Sequence, residues 1–276
     1  MKVRYMNSYQ QKKDIIRRNM LQYGDEDLVV AFSGGVDSSL LLKLACAAAQ
    51  ETGKKVYGFF LSTMLHPAKE AEEARETARD MGADFRILKI DELEGAEIED
   101  NPLDRCYRCK RHLFREIQKE AKEMGITRIL EGTNEDDLHV YRPGIRAVRE
   151  LGIISPLADA GFTKEEVRRF AKECGISVSD KPSSPCLATR FPYGTRLSYE
   201  EMRKVEAGEA FLKNLGFYNV RLRVHGELAR IEVDQRDLHL LLDQREAVLK
   251  YLKGLGYTYL TLDLEGFRSG SMDTHP

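Results

Sequence analysis

The 276-residue sequence contains no tryptophan, only eight prolines and no long uninterrupted apolar run. The last absence excludes a transmembrane helix, which needs about 20 predominantly apolar residues. No apolar stretch follows the charged start Met1-Lys2-Val3-Arg4-Tyr5, so no secretory leader is expected and the chain reads as cytoplasmic. A charge excess of one sign is also missing: 43 Lys and Arg against 45 Asp and Glu leave a formal net charge of -2. No global basic field recruits nucleic acid, and neither a nucleic-acid nor a membrane partner is expected. Cysteine is scarce too, at five residues: Cys46, Cys106, Cys109, Cys174 and Cys186. In a reducing compartment these read as thiols, metal ligands or catalytic groups rather than disulfides.

What is present is the composition of an ordinary globular protein, 42% hydrophobic and 32% charged, with enough length for one large domain or two modest ones. Residues 8–24 carry a helical apolar pattern through Ile15, Ile16, Met20 and Leu21. Leu28-Val29-Val30-Ala31-Phe32 is nearly all apolar, as a parallel strand buried on both faces should be. Helices are then expected near 40–50, 67–81 and 107–124, and strands at 56–61, 85–90 and 128–131. This alternation implies right-handed βαβ units: an α/β fold with a doubly wound parallel sheet.

Ligands of such sheets sit beyond the carboxyl ends of the strands. Ser33 to Ser39, Ser62 and Gly132-Thr133-Asn134 all fall there. The Pro-rich stretch Asp180 to Cys186 suits neither helix interior nor central strand, and the domain boundary is placed just after it. Residues 1–190 form the first domain. Residues 191–276 form a smaller α+β domain, with a Ser198-capped helix to Gly216, strands at 219–224 and 229–233, a helix over 235–254 and a strand at 257–263.

Ser33-Gly34-Gly35-Val36-Asp37-Ser38-Ser39, set between strand and helix, suits pyrophosphate. Gly34 and Gly35 let the backbone approach closely and tolerate positive φ. Main-chain N–H groups at the helix start point at the anion, the serines add hydroxyls, and Asp37 can hold Mg²⁺. The loop lacks the Gly-Lys-Ser/Thr ending of a Walker A motif. It resembles the PP-loop of the N-type ATP pyrophosphatases, which cleave ATP between the α- and β-phosphates to adenylylate an acceptor. Glu131-Gly132-Thr133-Asn134, followed by Arg142 and Arg146, fits the same group, in which the Gly-Thr-Asn turn contacts nucleotide.

Cys106-Tyr107-Arg108-Cys109 alone supports a redox pair, half a zinc site or plain thiols. With Cys186 it makes three thiols, which suit a [4Fe–4S] cluster with one open iron; zinc would want a fourth ligand, for which His112 is the candidate. Cys46 and Cys174 read as packing residues. In the second domain Arg221 and Arg223 alternate along a strand and share a face, and Arg268 follows the last strand, an arrangement suited to phosphate.

Together these segments resemble the LarE family, sulfur-insertion enzymes for the nickel-pincer nucleotide cofactor of lactate racemase. The most specific matches are Lys181-Pro182 through Pro185-Cys186-Leu187-Ala188-Thr189-Arg190 and Leu262-Asp263-Leu264-Glu265-Gly266-Phe267-Arg268-Ser269-Gly270-Ser271. The resemblance implies that ATP adenylylates a carboxylate of pyridinium-3,5-biscarboxylic acid mononucleotide and that sulfur then displaces AMP, giving a thiocarboxylate.

In the sacrificial form of the family the cysteine matching Cys186 gives up its own sulfur. Because Cys106 and Cys109 are also present, the resemblance points instead to a branch holding a [4Fe–4S] cluster on the three cysteines, with an extra sulfide as the transferred atom. It also assigns Arg221, Arg223 and Arg268 to the substrate phosphate with Glu209 nearby, and implies a homo-oligomer, commonly a hexamer, with transient contacts to other proteins of nickel-pincer biosynthesis. The competing readings are a tRNA thiolase of the same superfamily, an amidating ligase of the NAD-synthetase type, and a nucleotide-binding regulatory module.

Overall fold

The computed structural model describes residues 8–63, 65, 70–140, 142–180, 186–268 and 271–272. These fall into two compact units. The first contains α1 (Tyr9–Tyr23), β1 (Leu28–Ala31), α2 (Val36–Thr52), β2 (Val56–Ser62), α3 (Glu70–Asp80), β3 (Asp84–Lys89), α4 (Glu92–Gly95), α5 (Arg105–Glu123), β4 (Arg128–Leu130), α6 (Gly144–Glu150), α7 (Pro156–Asp159) and α8 (Lys164–Glu173). The second contains Glu97–Leu103, α9 (Tyr199–Asn214), β5 (Val220–His225), β6 (Leu228–Val233), α10 (Leu238–Asp243), α11 (Arg245–Gly254) and β7 (Tyr259–Leu262).

The first sheet has the order β3-β2-β1-β4, and every pairing is parallel. A single parallel bridge from Leu130 to Ile154 extends it past β4. The period-two pleat sends alternate residues of β1 to opposite layers. Leu28 and Val30 join the cluster built on α1, α2 and α8, whereas Val29 packs with Phe59, Phe114, Ile117 and Ile129 under α5. Both faces are covered, which is why these strands read as unbroken apolar runs. The expected doubly wound α/β architecture is the observed one.

The chain moves outward from β1 through β2 to β3, then returns to place β4 on the other side of β1. That reversal opens a crevice beyond the ends of β1 and β4, the position at which doubly wound sheets bind ligands. The phosphate loop follows β1 and the Gly-Thr-Asn turn follows β4, so two segments about 100 residues apart meet there.

In the second unit β5 and β6 pair antiparallel, and β7 adds parallel to β6. Ser198 caps α9, its hydroxyl accepting the Glu201 N–H. The expected single helix over 235–254 is divided: a 3-10 turn at Gln235–Asp237 leads to α10, and α11 begins at Arg245. The break falls at Gln244, whose side-chain amide donates to the Leu215 carbonyl at the end of α9 (3.4 Å), a tertiary contact absent from the local pattern.

Gly208 lets α9 lie close to β5 and α11, since a Cβ there would stand 2.7 Å from Leu222 Cδ2 and 3.1 Å from Leu252 Cδ2. Replacing Gly208 with Val should therefore overpack this contact and destabilise the protein by about 1–3 kcal/mol. Urea unfolding followed by circular dichroism reads the change; an unshifted midpoint would show that the layer has room to spare.

Candidate active site

Gly34 adopts φ 71°, the left-handed region that favours glycine, and turns the chain from β1 into the loop. Gly35 is in ordinary extended conformation and caps α2. The serines are used unequally. Ser38 Oγ accepts the Ser33 N–H at 3.2 Å, lies 3.1 Å from Ser33 Oγ and donates to the Gly35 carbonyl, so it latches the loop from within. Ser39 is fully buried: its N–H donates to the Gly35 carbonyl, and its hydroxyl has no partner among the described residues.

The groups suited to an anion are the N–H groups of Val36, Asp37 and Ser38 in the first turn, which have no intrahelical acceptor. The 17-residue α2 adds its dipole to them. This donor set fits a polyphosphate and needs no side-chain cation of the Walker A type.

The β4 turn completes the crevice. A Cβ on Gly132 would stand 3.1 Å from both Asp37 Cβ and the Ser38 nitrogen, so glycine is what lets the turn lie against the loop. Asn134 Nδ2 donates to Asp37 Oδ1 at 3.1 Å, and Asp37 Oδ2 is ion-paired with Lys164. Asp137 closes the turn by accepting the Asn134 N–H, and it pairs with Arg142 at 3.0 Å. Ser62 ends β2, where its carbonyl accepts the Ile90 N–H. Among the described residues it makes none of the hydrogen bonds joining loop to turn.

Beneath the turn, Glu131 is buried and heavily engaged. Its carboxylate accepts from the Thr133 N–H at 3.0 Å and from Ser155 Oγ, and it pairs with Lys110 at 3.3 Å. Burial pushes this carboxyl up, but Lys110, Ser155 and Thr133 outweigh that and hold it below its ordinary value. Lys110 immediately follows Cys109, so the Glu131 pair ties the cysteine helix α5 to the nucleotide turn. Sequence reading included Glu131 in the Gly-Thr-Asn motif but gave neither it nor Lys110 a role of its own. A charged side chain at the end of an apolar strand was the available signal.

Cys106 and Cys109 lie at the start of α5, one helical turn apart and therefore on one face. Neither is in a disulfide; Cys106 is exposed and Cys109 half-buried. Gly144 packs α6 against this turn, its Cβ position lying 3.0 Å from Lys110 Cδ and 3.5 Å from the Cys106 carbonyl. The His112 ring lies on Gly95 of α4, where a Cβ would stand 2.3 Å from Nε2. Cys46 is buried in the core cluster around α2, and burial raises its thiol to about 11, as a packing residue requires. Cys174 packs against the same cluster.

Cys186 belongs to the second unit, and the preceding Pro-rich residues 181–185 lie outside the described ones. Cys186 precedes a 3-10 turn, Leu187–Arg190, and its carbonyl accepts from the Thr189 N–H, Thr189 Oγ1 and Arg190 Nη1 at 3.1, 2.8 and 3.2 Å. Arg190 is itself buried in a two-pronged pair with Glu209, at 2.8 and 2.9 Å, and Glu209 also accepts the Leu222 N–H of β5 at 3.0 Å. Among the described residues no three His, Cys, Asp or Glu side chains are grouped to hold a metal ion.

Arg221 and Arg223 share a face of the second sheet, as alternation requires, with Glu232 and Arg230 opposite them in register. Arg223 is buried, pairs with Glu232 at 2.9 Å and donates to the Thr189 carbonyl at 3.0 Å. Ser271 donates to the other Glu232 oxygen at 2.7 Å. Arg268 is half-exposed, paired with Glu265 at 2.5 Å; Ser269 and Gly270 lie outside the described residues. Arg221 differs from these. It stacks over Phe267 at 5.0 Å and donates to its neighbour's carbonyl, yet no carboxylate pairs with it among the described residues. Burial, then the charges of Arg190 and Arg223, push its guanidinium below the ordinary value.

A parallel sheet with this loop at its switch point defines an ATP-binding pyrophosphatase-type domain. The PP-loop domain family matches residues 6–183, and the chain belongs to it. ATP and Mg²⁺ are the ligands this domain implies. The chain is 36% identical, over 89% of its length and 88% of the relative's, to the pyridinium-3,5-bisthiocarboxylic acid mononucleotide synthase of Lactiplantibacillus plantarum, and it belongs to the same family. A Synechocystis sp. protein is 35% identical over 91% of this chain and 94% of its own. The tRNA-specific 2-thiouridylase MnmA of Rickettsia felis is more distant, at 28% over 60% of this chain and 55% of its own.

A charge-removing Glu131→Gln substitution tests the buried anchor. Because the folded carboxyl is held low, its stabilisation is present above the unfolded value and is lost as pH falls through the folded one. At pH 7 the variant should be less stable by about 1–3 kcal/mol. The gap should close in acid; thermal melts at both pH values check it, and a pH-independent gap would contradict the assignment.

Proposed function

We propose that this ATP-dependent sulfurtransferase adenylylates a carboxylate of pyridinium-3,5-biscarboxylic acid mononucleotide and converts it to a thiocarboxylate. The family membership supports the reaction class, since the L. plantarum relative is named for the bisthiocarboxylic product. The observation that carries the acceptor is Arg221. It is a half-buried guanidinium without a carboxylate partner among the described residues, in the same unit as Cys186, and a phosphomonoester supplies the anion such a group wants.

The residues divide the work. Main-chain N–H groups of Val36 to Ser38 receive the phosphates of ATP, and Asp37 receives Mg²⁺. The Gly132-Thr133-Asn134 turn faces the nucleotide, and Ser33 and Ser62 line its approach. Arg221 holds the phosphate of the mononucleotide, with Arg223 and Arg268 completing the basic face and Glu209 setting its geometry through Arg190. An acceptor carboxylate oxygen bonds to the α-phosphorus and pyrophosphate departs, which replaces a poor leaving oxygen with AMP. Positioning and charge neutralisation suffice for this step.

Cys106, Cys109 and Cys186 are the sulfur-handling residues. These three thiolates would hold a [4Fe–4S] cluster, which would supply the sulfide for transfer. The chain acts in the cytoplasm as a homo-oligomer, with the mononucleotide as its partner and transient contacts to neighbouring enzymes of the same cofactor's synthesis. Among the described residues no helix is long and apolar enough to cross a membrane.

Two measurements test this reading. Pyrophosphate release from ATP should depend on the pyridinium mononucleotide, and Arg221→Ala should raise its KM about 10- to 100-fold with a smaller effect on kcat. Release without the mononucleotide, or on addition of tRNA instead, would reject this acceptor. Protein purified without oxygen should be brown and carry about four irons per chain, lost on replacing Cys106, Cys109 or Cys186 with Ser. Colourless protein that loses one sulfur from Cys186 per product would instead identify the sacrificial route.

A further inference from the structure

The cations around the second sheet are held in place in two different ways. Arg190 pairs with Glu209, Arg223 and Arg230 pair with Glu232, and Arg268 pairs with Glu265. Each of these carboxylates fixes a guanidinium and also cancels its charge. Arg221 has no such partner among the described residues, and burial, then the Arg190 charge, hold it below its ordinary value. A long, many-rotamer side chain must still be oriented before it can receive an anion, and ordering it costs conformational entropy.

What lies against Arg221 is an aromatic ring. Its guanidinium carbon stands over Phe267, 5.0 Å from the ring centroid, and one N–H donates to the Val220 carbonyl at 2.7 Å. A ring beneath a guanidinium orients it by cation–π attraction, as a carboxylate would by charge, but brings no negative charge of its own. Guanidinium N–H groups point outward in the plane of the group. Stacking therefore leaves those not used by Val220 available to fork onto a phosphate.

The ring is placed by its main chain. After β7, the Asp263 N–H donates to the Ile231 carbonyl at 2.9 Å, and the Phe267 N–H donates to the Val233 carbonyl at 2.8 Å, so both ends of the turn are clipped to β6. Within the turn the Glu265 N–H donates to Asp263 Oδ1 at 3.0 Å and the Gly266 N–H to the Asp263 carbonyl at 3.1 Å. Gly266 has φ 71°, and a Cβ there would stand 2.8 Å from the Val233 oxygen, so glycine is needed on both counts.

We propose that Phe267 is a positioning residue for the substrate phosphate: its ring holds the Arg221 guanidinium ready for a phosphomonoester without neutralising it. This role rests on the reading of Arg221 as the phosphate ligand. Phe267 acts through Arg221 alone, and the phosphate is not the group that is adenylylated. Losing the ring should therefore weaken ground-state and transition-state binding alike.

Phe267→Leu should raise KM for the pyridinium mononucleotide about three- to tenfold with kcat within about twofold, and Phe267→Tyr should keep the wild-type KM. In an Arg221→Ala background the same Phe267→Leu change should add less than about twofold, because the group it orients is gone. A direct readout uses the absence of tryptophan from the chain. Phe267→Trp places a single indole beside Arg221, and its fluorescence is followed as ribose 5-phosphate is added without ATP or acceptor. The emission should change to saturation, and adding Arg221→Ala should abolish the response.

Unchanged KM in Phe267→Leu, a KM penalty that persists in full over Arg221→Ala, or an indole blind to ribose 5-phosphate in a variant of normal melting temperature would overturn the role. The sugar-phosphate titration uses neither ATP nor the pyridinium ring. A response there without mononucleotide-dependent pyrophosphate release would reject the acceptor and retain Phe267. Mononucleotide-dependent release with KM unchanged in Phe267→Leu would reject Phe267 and retain the acceptor.

Discussion

Gly132 carries no side chain, and the approach of the β4 turn to the phosphate loop depends on that absence. With 3.1 Å between its missing Cβ and both Asp37 Cβ and the Ser38 nitrogen, a side chain there would press on both segments, and the loop or the turn would have to give by a few tenths of an ångström. The contact allows Asn134 to reach Asp37, and it sets the crevice at the switch point between β1 and β4. Beneath the turn, Glu131 braces the same contact by bonding Thr133, Ser155 and Lys110 at once. Parallel pairing places the two turns at the same end of the sheet; the glycine determines that they touch.

The second unit reaches its geometry by a different route. Buried ion pairs are expensive to desolvate and stabilise only when their remaining hydrogen-bonding capacity is used. Arg190 and Glu209 meet that condition. Two guanidinium nitrogens bind the carboxylate, a third binds the Cys186 carbonyl and Thr189 Oγ1, and Glu209 also takes a main-chain N–H of β5. The pair thus joins α9, β5 and the turn after Cys186. Arg223 repeats the device with Glu232 and the Thr189 carbonyl. Arg223 Nε nonetheless has no hydrogen-bond partner among the described residues, and of Arg190, Arg221 and Arg223 it is Arg221 that has no carboxylate pair among them.

The serines of the phosphate loop show how a motif can be legible while its internal division of labour is not. Ser33, Ser38 and Ser39 are indistinguishable as residue types, and all three suggest hydroxyl donors. Helical periodicity buries Ser39, and the turn at Gly34 folds Ser38 back as a latch. Likewise His112 sits three residues past Cys109, the right spacing for a ligand, but the α4–α5 contact lays its ring on Gly95. Spacing counts residues along one element. Contacts between elements decide where their side chains are used.

Local sequence specifies the alternation of strands and helices, the burial of β1 on both faces, the phosphate loop and the placing of Arg221 with Arg223 on one face. Each follows from local steric preference or a short apolar period, which neighbouring residues specify. The break at Gln244, the anchoring of Cys186 through Arg190 and Glu209, and the hold of Lys164 on Asp37 arise instead from contacts between elements. These join residues 19 to 127 positions apart. Their energy comes from charge and hydrogen bonding across elements, and a linear pattern carries no record of which distant partner will complete a buried charge.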